Sequence, residues 1–448
     1  MRRLIDSDLD AWVTSPRRKP LIVRGARQVG KTYSIRELGR RRFEKVVAVD
    51  LERNRSLHRA FGDDLDARRV LADLEVLTGA RVVPGRTLLF LDEIQACPRA
   101  LTALRYFQEE VPELHVVAAG SLLEFALGAY PVPVGRIQYL EMHPMTLLET
   151  LWAAGNDAAA AVVAAPPGPV SEAIHAHLLA EVRRYCFVGG MPEAVAAYVA
   201  TRSLSEAFAV QAEICETYRQ DFSRYAPRMD PRCLDDVFVG AARSVGHQVH
   251  YTRLGAGFSG PTVKHAFDVL SKARVLRRVP SADPSGLPLG ASARPGRFKA
   301  LLLDVGLWQH LSGLKVDAEY ARDDLLAVYR GAMAEQFVGQ ELVTTQPAGP
   351  HYWAREERGS TAEVDFLAVI DGALQGIEVK SGPSGALKSL HLLLKTFPNV
   401  CLGSVFQAAP FAELPPQRLR FLPLYAAWSA TGGRLSSAPQ GGAAQGHA

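Results

Sequence analysis

Short apolar runs alternate with helix-like stretches along the first third of the chain. Uninterrupted apolar runs lie at residues 21–23, 46–49, 88–91 and 116–119, a pattern typical of strands that are buried on both faces. Between these runs, helical patterns cover residues 31–42 and 100–110. This alternation predicts an α/β fold with a doubly wound, mainly parallel sheet.

The rest of the chain divides where the composition changes. Residues 155–170 pass from an alanine tract into a stretch of proline and glycine, which predicts a linker. A second helical pattern covers residues 171–246, and a third domain is expected to begin near Asp323. We therefore expect three domains and a disordered tail rich in Gly, Ala, Gln and Ser, at residues 1–165, 166–322, 323–430 and 431–448.

Composition excludes several classes of protein. Of the 448 residues, 48% are hydrophobic and 22% are charged, as in ordinary globular proteins. No apolar run reaches the roughly 20 residues that span a bilayer, and the N-terminus lacks the apolar core of a secretory signal. The five cysteines are scattered, which argues against a disulfide framework or a cysteine-ligated metal. We expect a cytoplasmic protein without membrane contact. His175 and His177 lie two positions apart on a predicted helix and therefore face different ways, so we expect both at its surface.

One segment matches the phosphate-binding loop pattern throughout: Gly25, Ala26, Arg27, Gln28, Val29, Gly30, Lys31 and Thr32. An apolar strand enters it and a helix leaves it, so that backbone N–H groups and the helix N-terminus face an anion. In such a loop Lys31 reaches the β- and γ-phosphates of ATP, and the Thr32 hydroxyl binds Mg²⁺. We therefore predict an ATP and Mg²⁺ site; the alternative is a plain glycine turn before a helix.

Further polar residues follow the third and fourth apolar runs. Ligands of α/β sheets lie at the carboxyl ends of strands, so Asp92 is expected to hold Mg²⁺ and Glu93 to polarise the attacking water. The alternative is an acid pair that favours a helix start. Ser121 is a candidate sensor of the γ-phosphate or a helix cap. Arg136 is a candidate arginine finger, within its own subunit or toward a neighbour in a homo-oligomer, or a surface arginine.

Four motifs together resemble a widespread prokaryotic ATPase family: GARQVGKT, LLFLDEIQ, the strand that ends in AAGS, and GRIQYLEMHPMTLLE. Members of this family join an AAA-type ATPase domain to a C-terminal domain of unknown function. The resemblance runs from Trp12 to about Pro423, and Tyr33 stands where many relatives have a second Thr or Ser. It implies an ATP-binding domain, a winged-helix-like middle and a restriction-endonuclease-like end, with no established substrate.

The middle of the chain is locally basic. Nine Lys or Arg and two acidic residues lie between positions 251 and 300, although the whole chain has a net charge of only +4. The pattern predicts two helical segments, a strand, a wing and a returning strand, which is typical of a winged helix. Duplex DNA is then expected to contact a set of basic residues, namely Lys264, His265, Lys272, Arg277 and Arg278. The alternative is a packing or protein-interaction module.

Residues 363–380 predict a β-hairpin around Asp371-Gly372, a pair that favours a two-residue type I′ turn. This register places Asp365 opposite Glu378, and strict alternation puts both on one face, with Val364 and Phe366 on the other. Two opposed carboxylates repel each other, unless a divalent cation such as Mg²⁺ or Mn²⁺ lies between them. The alternative is a charged hairpin face without a metal.

This Asp…Glu-x-Lys arrangement resembles the core of the restriction-endonuclease-like superfamily. The resemblance makes Asp365 and Glu378 metal ligands, places Lys380 near the attacking water, and matches Glu335 to an acidic residue on the first helix. We therefore expect an ATP-hydrolysing AAA-type switch coupled to a nuclease-like, DNA-binding C-terminal region. Two alternatives stay open: an active ATP-regulated nuclease, and an ATP-controlled module that binds a partner protein without nucleic acid.

Overall fold

The computed structural model describes residues 1–62, 64–121, 123, 125, 135–313, 326–357, 360–380 and 387–435. Within this part of the chain, the named strands form two sheets, one of five strands and one of eight. The helices that the structure describes include none that is both long and apolar enough to cross a membrane.

The N-terminal sheet is parallel throughout its described strands, which lie in the order β2-β3-β4-β1-β5. Leu21 and Val23 enter one hydrophobic core and Ile22 enters another, so both faces of the sheet are buried. The four predicted strands and both predicted helices are confirmed. The elements are α1 (Ile5–Thr14), β1 (Leu21–Arg24), α2 (Lys31–Arg42), β2 (Lys45–Asp50), α3 (Ala67–Thr78), β3 (Thr87–Asp92), α4 (Pro98–Glu110), β4 (His115–Gly120) and β5 (Gln138–Glu141).

Helices follow this sheet. The predicted linker at 155–170 is partly wrong, because its alanine tract forms a helix that buries Ala160 and Val163. Alanine has the highest helix propensity, and the Asn156 side chain caps the first turn by accepting from Ala159 N at 3.3 Å. The helices are α5 (Leu147–Ala153), α6 (Asp157–Ala164), α7 (Glu172–Val188), α8 (Pro192–Thr201), α9 (Leu204–Tyr225), α10 (Pro231–Arg243), α11 (Tyr251–Leu254) and α12 (Gly260–Lys272).

The second sheet is mixed and has the order β12-β13-β11-β10-β9-β8-β6-β7. Its first two strands by sequence come from the basic middle, which was predicted to belong to the second domain. These strands extend the sheet of the predicted third domain. Asp323, where that third domain was expected to begin, lies outside the described residues. The elements are β6 (Leu276–Ala282), β7 (Ala293–Leu302), α13 (Val305–Leu311), α14 (Leu326–Thr345), β8 (His351–Glu357), β9 (Ser360–Ile370), β10 (Ala373–Val379), α15 (Lys388–Thr396), β11 (Leu402–Gln407), β12 (Ala412–Leu414), β13 (Leu419–Pro423) and α16 (Ala427–Ala430).

The hairpin of β9 and β10 has the predicted two-residue turn. Asp371 and Gly372 both have positive φ, 50° and 78°, as a type I′ turn requires. The pairing of Phe366 with Ile377 follows the predicted register. The sequence signal for this turn is therefore confirmed.

Strict alternation along β9 is wrong. A register shift interrupts the β8–β9 ladder next to Val364. Consequently Val364 shares a core with Leu393 of α15, whereas Phe366 lies against Gly339 of α14. A β-bulge inserts an extra residue and re-aims a side chain, and the shift here lies beside Asp365.

The C-terminal end of the described chain packs onto α7. His175 is buried, and its ring nitrogens lie 3.1 Å from Tyr425 Oη and 3.0 Å from Ala408 O. The predicted surface position is therefore wrong for His175, whereas His177 is exposed. Thr431, the first residue of the predicted tail, is fully buried, and residues 436–448 lie outside the described residues.

Candidate functional site

The predicted phosphate loop joins β1 to α2, and two of its glycines are required by the local backbone. Gly30 has a positive φ of 97°, a conformation that glycine adopts without steric cost, and Gln28 has a φ of 62°. A Cβ added to Gly25 would lie 2.3 Å from the carbonyl oxygen of Met142. The loop therefore lies pressed against the residue that follows β5, and Gly25 tolerates no side chain.

Lys31 is folded back into this loop. Its Nζ donates to Gly25 O at 3.0 Å and to Ala26 O at 2.7 Å, and the residue is 7% exposed. Burial lowers the pKa of Lys31 to about 8, although the charges of Glu93 and Asp92 act in the opposite direction. The loop thus holds a largely desolvated cation, which an anionic ligand would stabilise.

Thr32 and Asp92 lie in contact. The Thr32 hydroxyl donates to Asp92 Oδ2 at 3.0 Å, which joins the first turn of α2 to the carboxyl end of β3. Burial raises the pKa of Asp92, and the hydrogen bond from Thr32 opposes this shift. A hydroxyl and a carboxylate are the hard oxygen ligands that Mg²⁺ prefers, so the two side chains fit a magnesium ion.

Glu93 follows with a φ of 48°, in the left-handed region. Its carboxylate accepts a hydrogen bond from Gln95 Nε2 and another from Ser121 Oγ at 3.4 Å. A non-glycine residue in this conformation is costly, and such residues cluster at active sites as well as in tight turns. The structure thus places Ser121 beside Glu93, and it adds Gln95, which the motif did not single out.

Arg136 is not brought to the phosphate loop. It precedes the amino end of β5, whereas the phosphate loop follows the carboxyl end of β1, the parallel neighbour of β5. Its Nε lies 3.1 Å from Glu109 Oε1, and the side chain is 54% exposed. An arginine-finger role within the same subunit is therefore unsupported, and a role toward a neighbouring subunit stays a prediction.

The loop is anchored by distant residues that the sequence did not reveal. Arg27 forms an ion pair with Asp221 of α9, and Tyr218 on the same helix donates to Arg27 O at 2.8 Å. On the other side, Arg3 donates to Val29 O at 2.8 Å. Arg27 and Asp221 are 194 positions apart, so no local pattern could have indicated their contact.

A cavity of about 600 Å³ lies beside the phosphate loop, with Arg27 in its wall. Its volume falls within the range of about 300–1,000 Å³ that is typical of small-molecule sites. Three arginines at its wall supply positive charge, and Glu52 supplies a negative charge. The described lining includes Arg27, Arg55, Gln95, Ser121 and Arg224.

Part of the predicted DNA-binding set is paired within the chain. Arg277 contacts Glu141 Oε1 at 2.8 Å, and Arg278 forms an ion pair with Asp268. The local positive charge is therefore smaller than the residue count suggests. The remaining members of the set are exposed on α12, namely Lys264, His265 and Lys272.

Glu335, Glu363 and Asp365 form a C-terminal acid cluster, and its centre is Lys299, a residue of the basic middle. Its Nζ lies 2.9 Å from Glu335 Oε1, 2.7 Å from Glu363 Oε1 and 3.2 Å from Asp365 Oδ1. Burial alone would lower the pKa of Lys299, but its carboxylate neighbours raise it well above the usual value. Lys299 therefore carries a positive charge inside the cluster.

Glu378 and Lys380, the other two residues of the predicted nuclease-like site, form a pair beside this cluster. Lys380 contacts Glu378 Oε1, and the pKa of Glu378 is raised by burial and by the charge of Asp365. Among the described residues, no three His, Cys, Asp or Glu side chains are placed to hold a metal. Lys299 contacts Asp365, one of the two predicted metal ligands, and a metal site at Asp365 and Glu378 stays a prediction.

Matches to family models agree with the geometry of the phosphate loop. Residues 17–151, which contain the loop, Asp92 and Glu93, match the model described as "AAA domain". These residues form an AAA-type P-loop ATPase domain. Residues 330–405 of this ATPase match "Domain of unknown function (DUF4143)" and residues 179–318 match "Domain of unknown function (DUF8612)". The resemblance to a family that joins an AAA-type ATPase domain to a C-terminal domain of unknown function is thereby confirmed.

Solved structures that resemble this ATPase do so at low similarity. The Walker-type ATPase PABY2304 of Pyrococcus abyssi has a TM-score of 0.45 and 15% identity, with 68% of this chain and 95% of that chain covered. Orc1 of Aeropyrum pernix in complex with DNA has a TM-score of 0.27 and 13% identity, with 69% of this chain and 90% of that chain covered. AMPPCP-bound DnaA of Aquifex aeolicus has a TM-score of 0.27 and 10% identity, with 60% of this chain and 87% of that chain covered. Likenesses this weak carry no argument about function, and no curated protein matches the chain.

Proposed function

We propose that this chain binds and hydrolyses ATP, and that its nucleotide state controls the helical and C-terminal regions. The observation that carries the proposal is the contact of 3.0 Å between Thr32 Oγ1 and Asp92 Oδ2, with Lys31 and Glu93 beside them. These side chains come from a phosphate-binding loop and from the end of a buried strand, the two parts that P-loop ATPases combine.

Each residue of the site has a definite proposed task. Backbone N–H groups of the loop receive the phosphates, while Lys31 exchanges its carbonyl partners for the β- and γ-phosphates. Thr32 and Asp92 would hold Mg²⁺, which neutralises phosphate charge when it is bound. Glu93 orients the attacking water, and Ser121 lies where the γ-phosphate would be sensed.

Contacts of the loop with the helical region support a switch. Arg27 is paired with Asp221 and hydrogen-bonded to Tyr218 through its carbonyl. A bound phosphate attracts the Arg27 guanidinium and competes with Asp221 for it. We therefore propose that ATP binding weakens this ion pair and loosens α9, so that the loop and the helical region respond together.

The identity of the C-terminal region is a further part of the proposal. The order α14-β8-β9-β10-α15-β11 supports a restriction-endonuclease-like fold, and α11, α12, β6 and β7 follow the order of a winged helix. We propose duplex DNA as a partner, contacted through the exposed basic side of α12. At about 3.6 residues per turn, that side carries Lys264, His265 and Lys272. An active nuclease is disfavoured by the position of Lys299.

Substitution of Glu93 by Gln separates binding from hydrolysis. The amide keeps the size of the side chain and loses its charge, so ATP binding should persist while hydrolysis falls by about 10²–10⁴-fold. Binding is measured with a fluorescent ATP analogue, and hydrolysis by phosphate release. Glu113→Gln, at an exposed position of the same domain, is the matched control. Hydrolysis by Glu93→Gln at the rate of the control would contradict the proposed role.

A further inference from the structure

We propose that Lys299 is the built-in cation of the C-terminal acid cluster and closes it to divalent metal, so that this nuclease-like domain does not cleave nucleic acid. This inference does not depend on ATP hydrolysis, but it rests on the nuclease-like fold proposed above for the C-terminal region. It rests on the position of a single side chain, on the strand that carries it, and on the oxygens that it contacts.

The ammonium of Lys299 is saturated by the cluster. An ammonium has three N–H donors, and three separate carboxylates lie within 3.2 Å of this one. The side chain is 1% exposed. A buried charge is stable only when it is paired and hydrogen-bonded, and Lys299 meets both conditions with carboxylates alone.

Asp365, one of the two predicted metal ligands, is among these three carboxylates, whereas Glu378 Oε1 contacts Lys380. Asp365 already uses both of its oxygens, Oδ1 toward Lys299 at 3.2 Å and Oδ2 as the acceptor from Val379 N at 2.9 Å. Mg²⁺ binds oxygen at about 2.0–2.1 Å. A metal on the Asp365 carboxylate would therefore sit within a few ångströms of the Lys299 ammonium, and two such cations repel each other strongly at low dielectric.

Lys299 is held by regular structure. It pairs with Val279 in the antiparallel ladder of β6 and β7. Farther along β7, Gln336 of α14 accepts from Leu302 N at 3.0 Å and donates to Leu302 O at 2.9 Å. These bonds fix β7 against the helix that also carries Glu335. Regular structure therefore holds the backbone of Lys299 beside the helix that carries Glu335.

The test is Mn²⁺ binding to nucleotide-free protein, followed by electron paramagnetic resonance. Wild-type protein and the Asp365→Asn variant should bind Mn²⁺ equally weakly, because the cluster contributes no site. Lys299→Met keeps the apolar length of the side chain and removes the charge. This variant should bind one Mn²⁺ more than the wild type does, at least tenfold more tightly than the wild type binds Mn²⁺. That gain should disappear in Lys299→Met/Asp365→Asn. Lys395→Met, at an exposed lysine of α15, should behave as the wild type.

Two results would overturn the proposal. The first is Mn²⁺ binding by the wild type that is lost in Asp365→Asn, since the cluster would then accept metal with Lys299 in place. The second is a folded Lys299→Met protein that gains no site. If Lys299→Met does not fold, as its melting curve would reveal, the comparison of the wild type with Asp365→Asn still decides the question.

Discussion

Replacing Arg3 by Met tests whether a side chain near the N-terminus holds the phosphate loop in shape. Arg3 Nε lies 2.8 Å from Glu149 Oε1, and the two side chains are 5% and 4% exposed. The other guanidinium nitrogens donate to Val29 O at 2.8 Å and to His143 O at 2.7 Å. Removal of Arg3 therefore leaves a buried carboxylate without its cation and two carbonyls without their donor.

The expected effect is large. Removing one partner of a buried ion pair costs about 3–5 kcal/mol. For a domain of about 150–250 residues, each kcal/mol lowers the melting temperature by about 2–4 °C, so Arg3→Met should melt about 6–20 °C lower than the wild type. Because Val29 belongs to the loop, ATP affinity should fall as well. Thermal unfolding followed by far-UV circular dichroism, with and without ATP, measures both effects.

Two further variants test the role of the ion pair between Arg3 and Glu149. Arg17→Met changes an exposed arginine of the same segment and should alter stability by no more than about 0.5 kcal/mol. Arg3→Met/Glu149→Gln should recover part of the loss, because the uncompensated charge is gone while an acceptor oxygen remains. If Arg3→Met melts like Arg17→Met, or if the double variant recovers nothing, the ion pair does not have the role assigned to it.

Other consequences concern Glu341 and His175. Burial raises the pKa of Glu341 to about 8, so the stability that its protonated form contributes below about pH 4.5 is lost as the pH rises through 8. Glu341→Gln, which keeps the acceptor for Leu147 N, should therefore melt higher than the wild type at pH 8 but not at pH 4.5; an equal difference at both pH values would contradict this. His175→Ala leaves the partners of a buried ring unpaired and should cost about 1–3 kcal/mol, measured by thermal unfolding, whereas His177→Ala should change stability by less than about 0.5 kcal/mol. Equal melting of these two variants would contradict the packing of the C-terminal end on α7.

The parts of the structure that were predictable depend on local patterns. Buried parallel strands require continuous apolar runs, so the runs at 88–91 and 116–119 identified β3 and β4 directly. The loop was evident because its glycines and Lys31 follow a fixed spacing. The hairpin turn at Asp371-Gly372 was likewise specified by two adjacent residues. In each case the signal lies within a few positions of the feature.

The parts that were missed depend on contacts between distant positions. Lys299 lies 36 positions from Glu335 and 66 from Asp365, so its role in the acid cluster has no local signature. His175 contacts Tyr425, 250 positions away, and Ala408, 233 positions away, so its burial has no local signature. β5 was missed for a different reason, since Gln138–Glu141 is a short and half-exposed edge strand without an apolar run.

The central claim is ATP hydrolysis at the phosphate loop, and steady-state phosphate release measures it most directly. The assay compares the wild type with Lys31→Ala and with Lys45→Ala, an exposed lysine, each with and without duplex DNA. We predict hydrolysis by the wild type and Lys45→Ala that rises with DNA, and its loss in Lys31→Ala. Hydrolysis that persists in Lys31→Ala would contradict the account, whereas a rate indifferent to DNA would leave the ATPase in place and favour a partner protein.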